Sequence, residues 1–166
     1  LINYCATFAV SFLLALYLQF NRGLDPQSAG LVLAAQPVVQ AVISPAAGRL
    51  SDRIEPGIIA SAGMGVTVIG LAMLALLTEE TPLLFIVAAL VVLGIGFAFF
   101  SSPNTNAIMS SVKRESFGIA SATVATARQV GMMLSLGTVM VIFSVVMGRV
   151  QITPEYHTQL MGSVQI

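Results

Sequence analysis

The sequence contains few charged residues, one cysteine, one histidine and no tryptophan. Only 8% of its 166 residues are charged, whereas soluble domains carry about 25%, and this excludes an ordinary soluble globular enzyme. The single Cys5 can form no internal disulfide and cannot supply a site of several thiolates. The seven basic and seven acidic side chains cancel. The chain therefore lacks the surplus of Lys and Arg that nucleic acid binding requires.

Apolar residues dominate the composition, at 57% of the chain with a mean hydropathy of +0.94. They form five stretches of about 20 to 30 residues, and a helix of about 20 residues crosses roughly 30 Å of hydrocarbon. No ten-residue stretch alternates polar and apolar residues, which argues against membrane strands. The sequence therefore predicts an all-α integral membrane protein. The predicted spans cover about 1–20, 26–48, 57–77, 82–102 and 118–147.

Basic residues mark two of the connections between these spans. Arg49 and Arg53 lie in the second connection, and Lys113 and Arg114 lie in the fourth. Because basic loops stay cytoplasmic, both connections are predicted inside, together with the amino end. The polar tail at 148–166 is then predicted to be extracytoplasmic.

The first residues indicate a piece of a longer protein. The chain opens on Leu1 and is apolar from that residue onward. It lacks the basic segment with which a signal peptide begins. We therefore expect a fragment cut from a longer membrane protein.

Prolines predict where helices begin and end. Asp25-Pro26 and Thr81-Pro82 each place a side-chain oxygen at a predicted N-cap and a proline at the first helical position. Pro103 follows the fourth span, within a polar cluster of Ser101, Ser102, Asn104 and Asn106. Proline frees a backbone carbonyl, so we expect either a kink or, in preference, the end of the helix there.

Polar side chains recur every four residues in two spans, which places each set on one helix face. The two sets are Asn3, Thr7 and Ser11 in the first span and Gln36, Gln40 and Ser44 in the second. One interpretation is hydrogen bonding between helices, which contributes about 0.6 kcal/mol per contact. The other is a water-lined substrate path, and the sequence leaves both open. The third span has no side chain more polar than Ser or Thr in its interior, and Gly63, Gly65 and Gly70 predict close helix packing there.

Arg128 is the one charged residue placed deep within a predicted span. Arginine at the middle of a membrane costs about 2.5 to 3.5 kcal/mol, so its side chain should face a partner or water. The alternative is a long helix from which Arg128 reaches the inner headgroups. We favour the functional interpretation. Gln129 is adjacent, and Ser121 and Ser135 share the face of Arg128 at spacings of seven.

Acidic residues are restricted to loops and helix ends, and His157 belongs to the tail. A proton relay normally uses an acid or histidine inside the membrane. A titrating carboxylate for proton-coupled transport is therefore expected in a part of the protein outside this chain. The sequence also offers no zinc-binding His pair, no Walker-type phosphate loop and no Ser-His-Asp set within one compartment. We expect no catalytic residue, cofactor or metal.

The second connection, Gly48-Arg49-Leu50-Ser51-Asp52-Arg53, resembles the cytoplasmic loop signature Gly-x-Leu-x-Asp-Arg of the major facilitator superfamily. The next residues, Ile54-Glu55-Pro56-Gly57, depart from the fuller signature and resemble its weaker copy in the second half of such proteins. The segments Gly23–Leu31 and Ala127–Gly131 extend the resemblance. Together they are similar to the drug:proton antiporter branch with 14 helices.

This resemblance implies two six-helix halves that alternate access around a central site. It implies that 1–147 supplies the first five helices of the carboxyl half, with the sixth missing. Asp52 would face a helix N-terminus of the other half, and Arg53 would pair with a carboxylate, for which Glu115 is the candidate. The implied gating residues are Gly48, Arg49, Asp52, Arg53 and Glu115. The residues expected to line a substrate path are Asn3, Thr7, Gln36, Gln40, Arg128 and Gln129.

The implied function is secondary active export of small amphipathic molecules in exchange for protons, not an enzymatic reaction. The expected partners are the lipid bilayer, the substrate, protons and the remaining helices of the same transporter. The expected location is the bacterial inner membrane. Two alternatives stay open, namely an uptake transporter of the same superfamily and a non-transporting membrane protein that serves assembly or sensing.

Overall fold

The computed structural model describes residues 2–78 and 80–146, and helices account for most of them. The α-helices are α1 (Ile2–Leu16), α2 (Pro26–Leu33), α3 (Ala35–Ser51), α4 (Pro56–Ala75), α5 (Leu83–Ser110) and α6 (Phe117–Val146). A π-helical turn, Tyr17–Asn21, follows α1, and a 3-10 turn, Arg114–Ser116, precedes α6. No strand occurs in these residues. The predicted all-α class is confirmed.

Five helical segments of the described residues are long and apolar enough to cross a bilayer, which is the predicted number. They cover Asn3–Asn21, Pro26–Ser51, Pro56–Ala75, Leu83–Ser110 and Arg114–Ile142. The first combines α1 with the π-helical turn, and the second combines α2 with α3. The predicted tail at 148–166 lies outside the described residues.

The first span ends in a turn that requires glycine. The Arg22 N–H donates to the Tyr17 carbonyl over 3.2 Å and closes the π-helical turn. Gly23 follows with φ of +62°, a backbone conformation that side chains disfavour. The buried Tyr17 then anchors this end of the span, because its hydroxyl donates to the Thr78 carbonyl over 2.8 Å.

Asp25 caps the start of the second span, as predicted. Its carboxylate accepts a hydrogen bond from the Ser28 N–H over 3.1 Å, which satisfies one of the free amides of the first turn. The hydrogen bonds from the Ser28 side chain and backbone hold the pKa of Asp25 below its ordinary value. Pro26 occupies the first helical position, where its missing N–H costs nothing.

The second span is interrupted at Ala34, between α2 and α3. Pro37 explains the interruption, because proline has no N–H to donate to the Leu33 carbonyl four residues earlier. The helical bonds resume at Val38, whose N–H donates to the Ala34 carbonyl over 3.1 Å. The predicted helix over 26–48 did not include this break.

The predicted N-cap of the fourth span at Thr81 was wrong. Helix α5 begins at Leu83, and Pro82 precedes it in an extended conformation with ψ of 143°. Thr81 does not cap the helix. Its hydroxyl oxygen accepts a hydrogen bond from the Thr78 N–H over 2.8 Å and so closes the preceding turn.

The expected helix end at Pro103 was also wrong, because α5 continues through Pro103 to Ser110. Proline has a helical φ and removes one bond, the bond to the Phe99 carbonyl. Pro103 is fully buried, and the packing around it offsets that lost bond. The fourth span is therefore longer by two turns at its predicted inner end.

The chain divides into two compact units. Among the described residues, the first comprises 2–32, 75–78, 80–81 and 126–146, and the second comprises 33–74 and 82–125. In the first unit, Leu14, Tyr17 and Leu18 form a buried apolar cluster at the end of the first span.

Helices α4 and α5 pack closely in the second unit. A Cβ atom added to Gly63 would lie 2.6 Å from the Phe100 backbone nitrogen, and one added to Gly70 would lie 2.8 Å from Leu93. The predicted packing role is confirmed for these two glycines. Gly65 differs, because nothing lies within 4 Å of the corresponding position.

Candidate functional site

The predicted gating loop lies at the end of α3. Helix α3 ends at Ser51, and Asp52 and Arg53 follow in a turn that the Arg53 N–H closes by donating to the Leu50 carbonyl over 3.0 Å. Both charged side chains are exposed. A surface groove beside them is lined by Ala46, Arg49, Leu50, Asp52 and Arg53. The loop therefore presents its charged groups outward from the second unit.

Two contacts fasten this loop to α5. The Asn106 side-chain amide donates to the Ser51 hydroxyl oxygen over 2.8 Å, and that hydroxyl donates to the Gly48 carbonyl over 2.7 Å. A Cβ atom on Gly48 would lie 3.1 Å from the Ser102 hydroxyl oxygen. Glycine at the first position of the signature thus lets α3 approach α5 closely. Sequence reasoning noted Asn106 in a polar cluster but found no partner for it.

Glu115 occupies a different place from the rest of the gating set. It lies in the 3-10 turn before α6, and its side chain is exposed. It is not among the residues that line the groove of Asp52 and Arg53. The pairing of Arg53 with Glu115 stays a prediction.

The glutamine stripe of α3 changes environment along its length. Gln36 is buried at 7% exposure, whereas Gln40 is half-buried. At Gln36 the helices α3 and α5 approach each other closely, because a Cβ atom on Gly94 would lie 2.7 Å from the Gln36 carbonyl oxygen. The Ser44 hydroxyl donates to the Gln40 carbonyl over 2.7 Å. Ser44 thus bonds within its own helix and supports neither interpretation, while Gln40 keeps a partly exposed side chain.

Arg128 stacks on an aromatic ring of the first span. Its guanidinium carbon lies 4.8 Å from the centroid of the Tyr4 ring, which is cation–π geometry with an energy of about 0.5 to 2 kcal/mol depending on desolvation. The Arg128 Nε atom is buried and has no hydrogen-bond partner among the described residues. Arg128 is fourteen residues from each end of the span Arg114–Ile142. Sequence reasoning predicted a partner for Arg128 but not Tyr4.

The face of α6 that carries Arg128 is an interior face. Gly131, Ser135 and Val139 continue this face at spacings of three and four, and all are buried. The Ser135 hydroxyl is fully buried and has no hydrogen-bond partner in the described part of the chain. Gln129 points elsewhere, because its side chain is exposed. Arg128 is thus the member of the predicted path on this helix that faces protein.

The polar stripe of the first span is described in part. Asn3 is buried at 7% exposure and Ser11 is half-buried, both on α1. Thr7 lies in α1 between them, and its side chain is outside the described residues. Asn3 directly precedes Tyr4, so the start of α1 brings an amide and the aromatic partner of Arg128 together.

The acidic residues that the structure describes all lie outside the α-helices. They are Asp25, Asp52, Glu55, Glu80 and Glu115. The two others, Glu79 and Glu155, belong to the undescribed residues. The described α-helices therefore carry the positive charge of Arg128 without a carboxylate of their own.

Comparison with known proteins identifies the family. The profile of the Major Facilitator Superfamily matches residues 1–150. The chain belongs to the Major Facilitator Superfamily. The Gly48–Arg53 loop, which resembles the loop signature of this superfamily, lies within the matched residues. This chain is a segment of a multi-pass membrane protein. Five helices among its described residues are long and apolar enough to cross a membrane.

Several relatives are named as transporters. A riboflavin transporter of Clostridioides difficile is 36% identical over 81% of this chain and 29% of that protein. An uncharacterized transporter of Escherichia coli is 33% identical over 78% of the chain and 28% of its own length. A multidrug efflux pump of Mycolicibacterium smegmatis is 29% identical over 80% of the chain and 26% of the pump. The chain spans less than a third of the length of each of these three relatives.

Proposed function

We propose that this chain is part of a secondary active transporter that exports small amphipathic molecules by alternating access. In this proposal, residues 1–147 supply the first five helices of the carboxyl half, and the segment after them is extracytoplasmic. The observation that carries the proposal is the family match over residues 1–150 together with the Gly48–Arg53 loop fastened to α5. Relatives named as a multidrug efflux pump and multidrug resistance proteins support export of drug-like molecules.

The Gly48–Arg53 loop acts in this proposal as an inner gate. Asp52 and Arg53 are exposed on the second unit and are free to meet charged groups or helix ends of the other half. A carboxylate near a helix N-terminus gains about 0.3 to 1 kcal/mol and up to about 2 kcal/mol when partly buried. Contacts of this size can latch one state, because opening the inner side must then offset them.

In the second unit, the proposal assigns the polar side chains of Gln36 and Gln40 to a substrate path. Polar groups in a membrane protein are stabilised by partners or water, and Gln40 keeps a half-buried side chain. To test the path, Gln40→Cys is made in the full-length protein with Cys5 replaced, and a hydrophilic thiol reagent is applied from one side. Val38→Cys is the control, because Val38 is 58% exposed on another face of α3.

Reaction at position 40 with inertness at position 38 supports a water-filled path. Inertness at both positions, with transport retained, favours interhelical packing and removes Gln40 from the path.

The proposal also includes proton exchange as the energy source for export. The described acidic residues lie outside the α-helices, and proton relays normally use embedded acids or histidines. The coupling carboxylate is therefore assigned to helices outside this chain. The bacterial inner membrane is the proposed location, since the named relatives come from bacteria.

A second candidate is a transporter of one defined solute. The relative at 36% identity is named for riboflavin and not for multidrug resistance. This candidate keeps the fold and the gating loop but replaces broad export with a single substrate, and it includes uptake. Measuring which compounds cross the membrane, and in which direction, separates the two candidates.

The gate is tested with Asp52→Asn in the full-length transporter, expressed in cells at the level of the unchanged protein. We expect lower efflux of the exported compounds with normal membrane insertion. The matched control is Asp25→Asn, which changes the same side-chain type in a connection at the other end of the second span. Equal efflux by the Asp52→Asn variant and the unchanged protein would remove the gating role, and no flux from the unchanged protein would favour assembly or sensing.

A further inference from the structure

The guanidinium of Arg128 is a positive charge on α6, and none of the α-helices that the structure describes contains an acidic residue. No acidic residue lies in α6, and the described acidic residues all lie outside the α-helices. Arg128 sits at the centre of the span Arg114–Ile142 and on the face that continues through the buried Gly131 and Ser135. Arg128 is half-buried and its Nε atom is fully buried, and a charge withdrawn from water requires a compensating group. The described α-helices supply no carboxylate for this purpose.

Tyr4 stabilises the positive charge of Arg128 through a cation–π contact. The guanidinium carbon lies over the Tyr4 ring, 4.8 Å from its centroid, and a guanidinium that stacks on a ring keeps its in-plane N–H groups available to an acceptor. One of these, the Nε–H, is buried and has no acceptor among the described residues. Its neighbouring Nη–H completes a planar fork that matches the two oxygens of a carboxylate.

A transport site must persist both empty and loaded. A cation–π contact stabilises an arginine with or without a bound anion, so it suits an arginine that loses its anion in every cycle. Tyr4 supplies this contact without occupying the in-plane donors. Asn3, buried next to Tyr4 on α1, brings a further polar group to the same end of the helix.

We propose that Arg128, stacked on Tyr4, is an anion-binding subsite that receives the carboxylate of a small amphipathic acid. The inference rests on the proposed transport function and deepens it, since it assigns the charge of the substrate. Arg128 forms the in-plane fork, and Tyr4 is a positioning residue that holds the guanidinium plane. An ammonium compound of the same skeleton meets a like charge at this subsite and is disfavoured.

The test measures transport by the full-length protein in proteoliposomes. The probes are 2-naphthoate, 2-naphthylmethylammonium and 2-naphthylmethanol, which share a ring system and differ in charge. We expect 2-naphthoate to be transported in preference to the ammonium compound. Arg128→Gln should reduce transport of 2-naphthoate at limiting concentration by roughly ten- to hundredfold, the usual effect of losing a hydrogen bond to a charged group. It should leave the neutral alcohol within about twofold.

Two further variants separate recognition from folding. Arg128→Lys keeps the charge but loses the planar fork, so we expect a smaller loss for 2-naphthoate with the preference for the anion retained. Arg114→Gln is the matched control, because Arg114 is exposed in the turn before α6 and should change none of the three rates. Elution of each detergent-solubilised variant as a single sharp peak verifies its folding.

The outcomes are distinct. Equal loss of all three compounds in Arg128→Gln would identify a fixed ion pair with another helix and overturn the inference. Transport of the ammonium compound or the alcohol without 2-naphthoate would also overturn it, while the proposed transport function would stand. Transport of no compound from this set or from a wider amphipathic panel would overturn both.

Discussion

The side-chain amide of Asn106 donates a hydrogen bond to the hydroxyl oxygen of Ser51 over 2.8 Å and joins α5 to the last residue of α3. Ser51 is buried at 7% exposure, so this bond is protected from water. The residue after it is Asp52, the acidic residue of the signature. The position of the gating loop is therefore set by α5 as well as by α3.

This bond predicts a coupling between two variants of the full-length protein. Asn106→Ala and Ser51→Ala should each lower the free energy of unfolding, and their coupling energy should be about 0.5 to 1.5 kcal/mol, the usual net value of one hydrogen bond. Denaturant titration of the detergent-solubilised protein measures each value. Asn104→Ala is the control on the same helix, and additive effects of Ser51→Ala and Asn106→Ala would contradict the bond.

Close packing of α4 on α5 predicts opposite results for two neighbouring glycines. Gly63→Ala places a Cβ atom 2.6 Å from the Phe100 backbone nitrogen, so the helices must separate, at a cost of roughly 1 to 3 kcal/mol. Gly65→Ala meets nothing within 4 Å and should be neutral or stabilise the helix by up to about 1 kcal/mol. The midpoints of thermal unfolding of the two variants test this prediction. Equal midpoints would contradict the close packing of α4 on α5.

The stacking of Arg128 on Tyr4 predicts that the preference for an anionic substrate depends on the aromatic ring of Tyr4 and not on its hydroxyl group. Tyr4→Phe keeps the ring face and should retain the preference for 2-naphthoate over 2-naphthylmethylammonium within about twofold. Tyr4→Leu removes the ring face, worth about 0.5 to 2 kcal/mol, and should lower that preference by roughly two- to thirtyfold. A preference that is unchanged in Tyr4→Leu would show that the ring does not position the guanidinium.

The cap at Asp25 predicts a pH-dependent contribution to stability. Because the pKa of Asp25 is held below its ordinary value of 3.8, the stabilisation is present above that value and is lost as the pH falls through the lower folded-state pKa. Asp25→Ala should lower the thermal midpoint at neutral pH, and the difference from the unchanged protein should shrink in acid. Asp25→Asn keeps a capping side chain and should lack this dependence. A difference that stays constant down to strong acid would exclude the carboxylate as its cause.

Sequence reasoning was most successful where one residue or one composition determines the outcome. The spans were predicted because hydrocarbon thickness fixes the length of an apolar helix, and Asp25-Pro26 was predicted because a cap is local. Pro103 was misjudged because burial of the surrounding helix, which is a property of the packed unit, offsets one missing hydrogen bond.

Contacts between distant residues were beyond sequence reasoning. A spacing of four or seven identifies a helix face but does not identify what lies against it. The pairing of Ser51 with Asn106 joins positions 55 residues apart, and Tyr4 was not considered as the partner of Arg128. In both cases one polar residue was noted in advance, and the partner came from packing.

Solute counterflow in proteoliposomes tests alternating access most directly, because it requires neither an ion gradient nor knowledge of the coupling carboxylate. Vesicles that contain the full-length protein are loaded with an unlabelled transported compound and diluted into a trace of the labelled compound. The account predicts a transient accumulation of label above its equilibrium level, followed by decay. Label that rises steadily to equilibrium without an overshoot, or that does not enter, would contradict it.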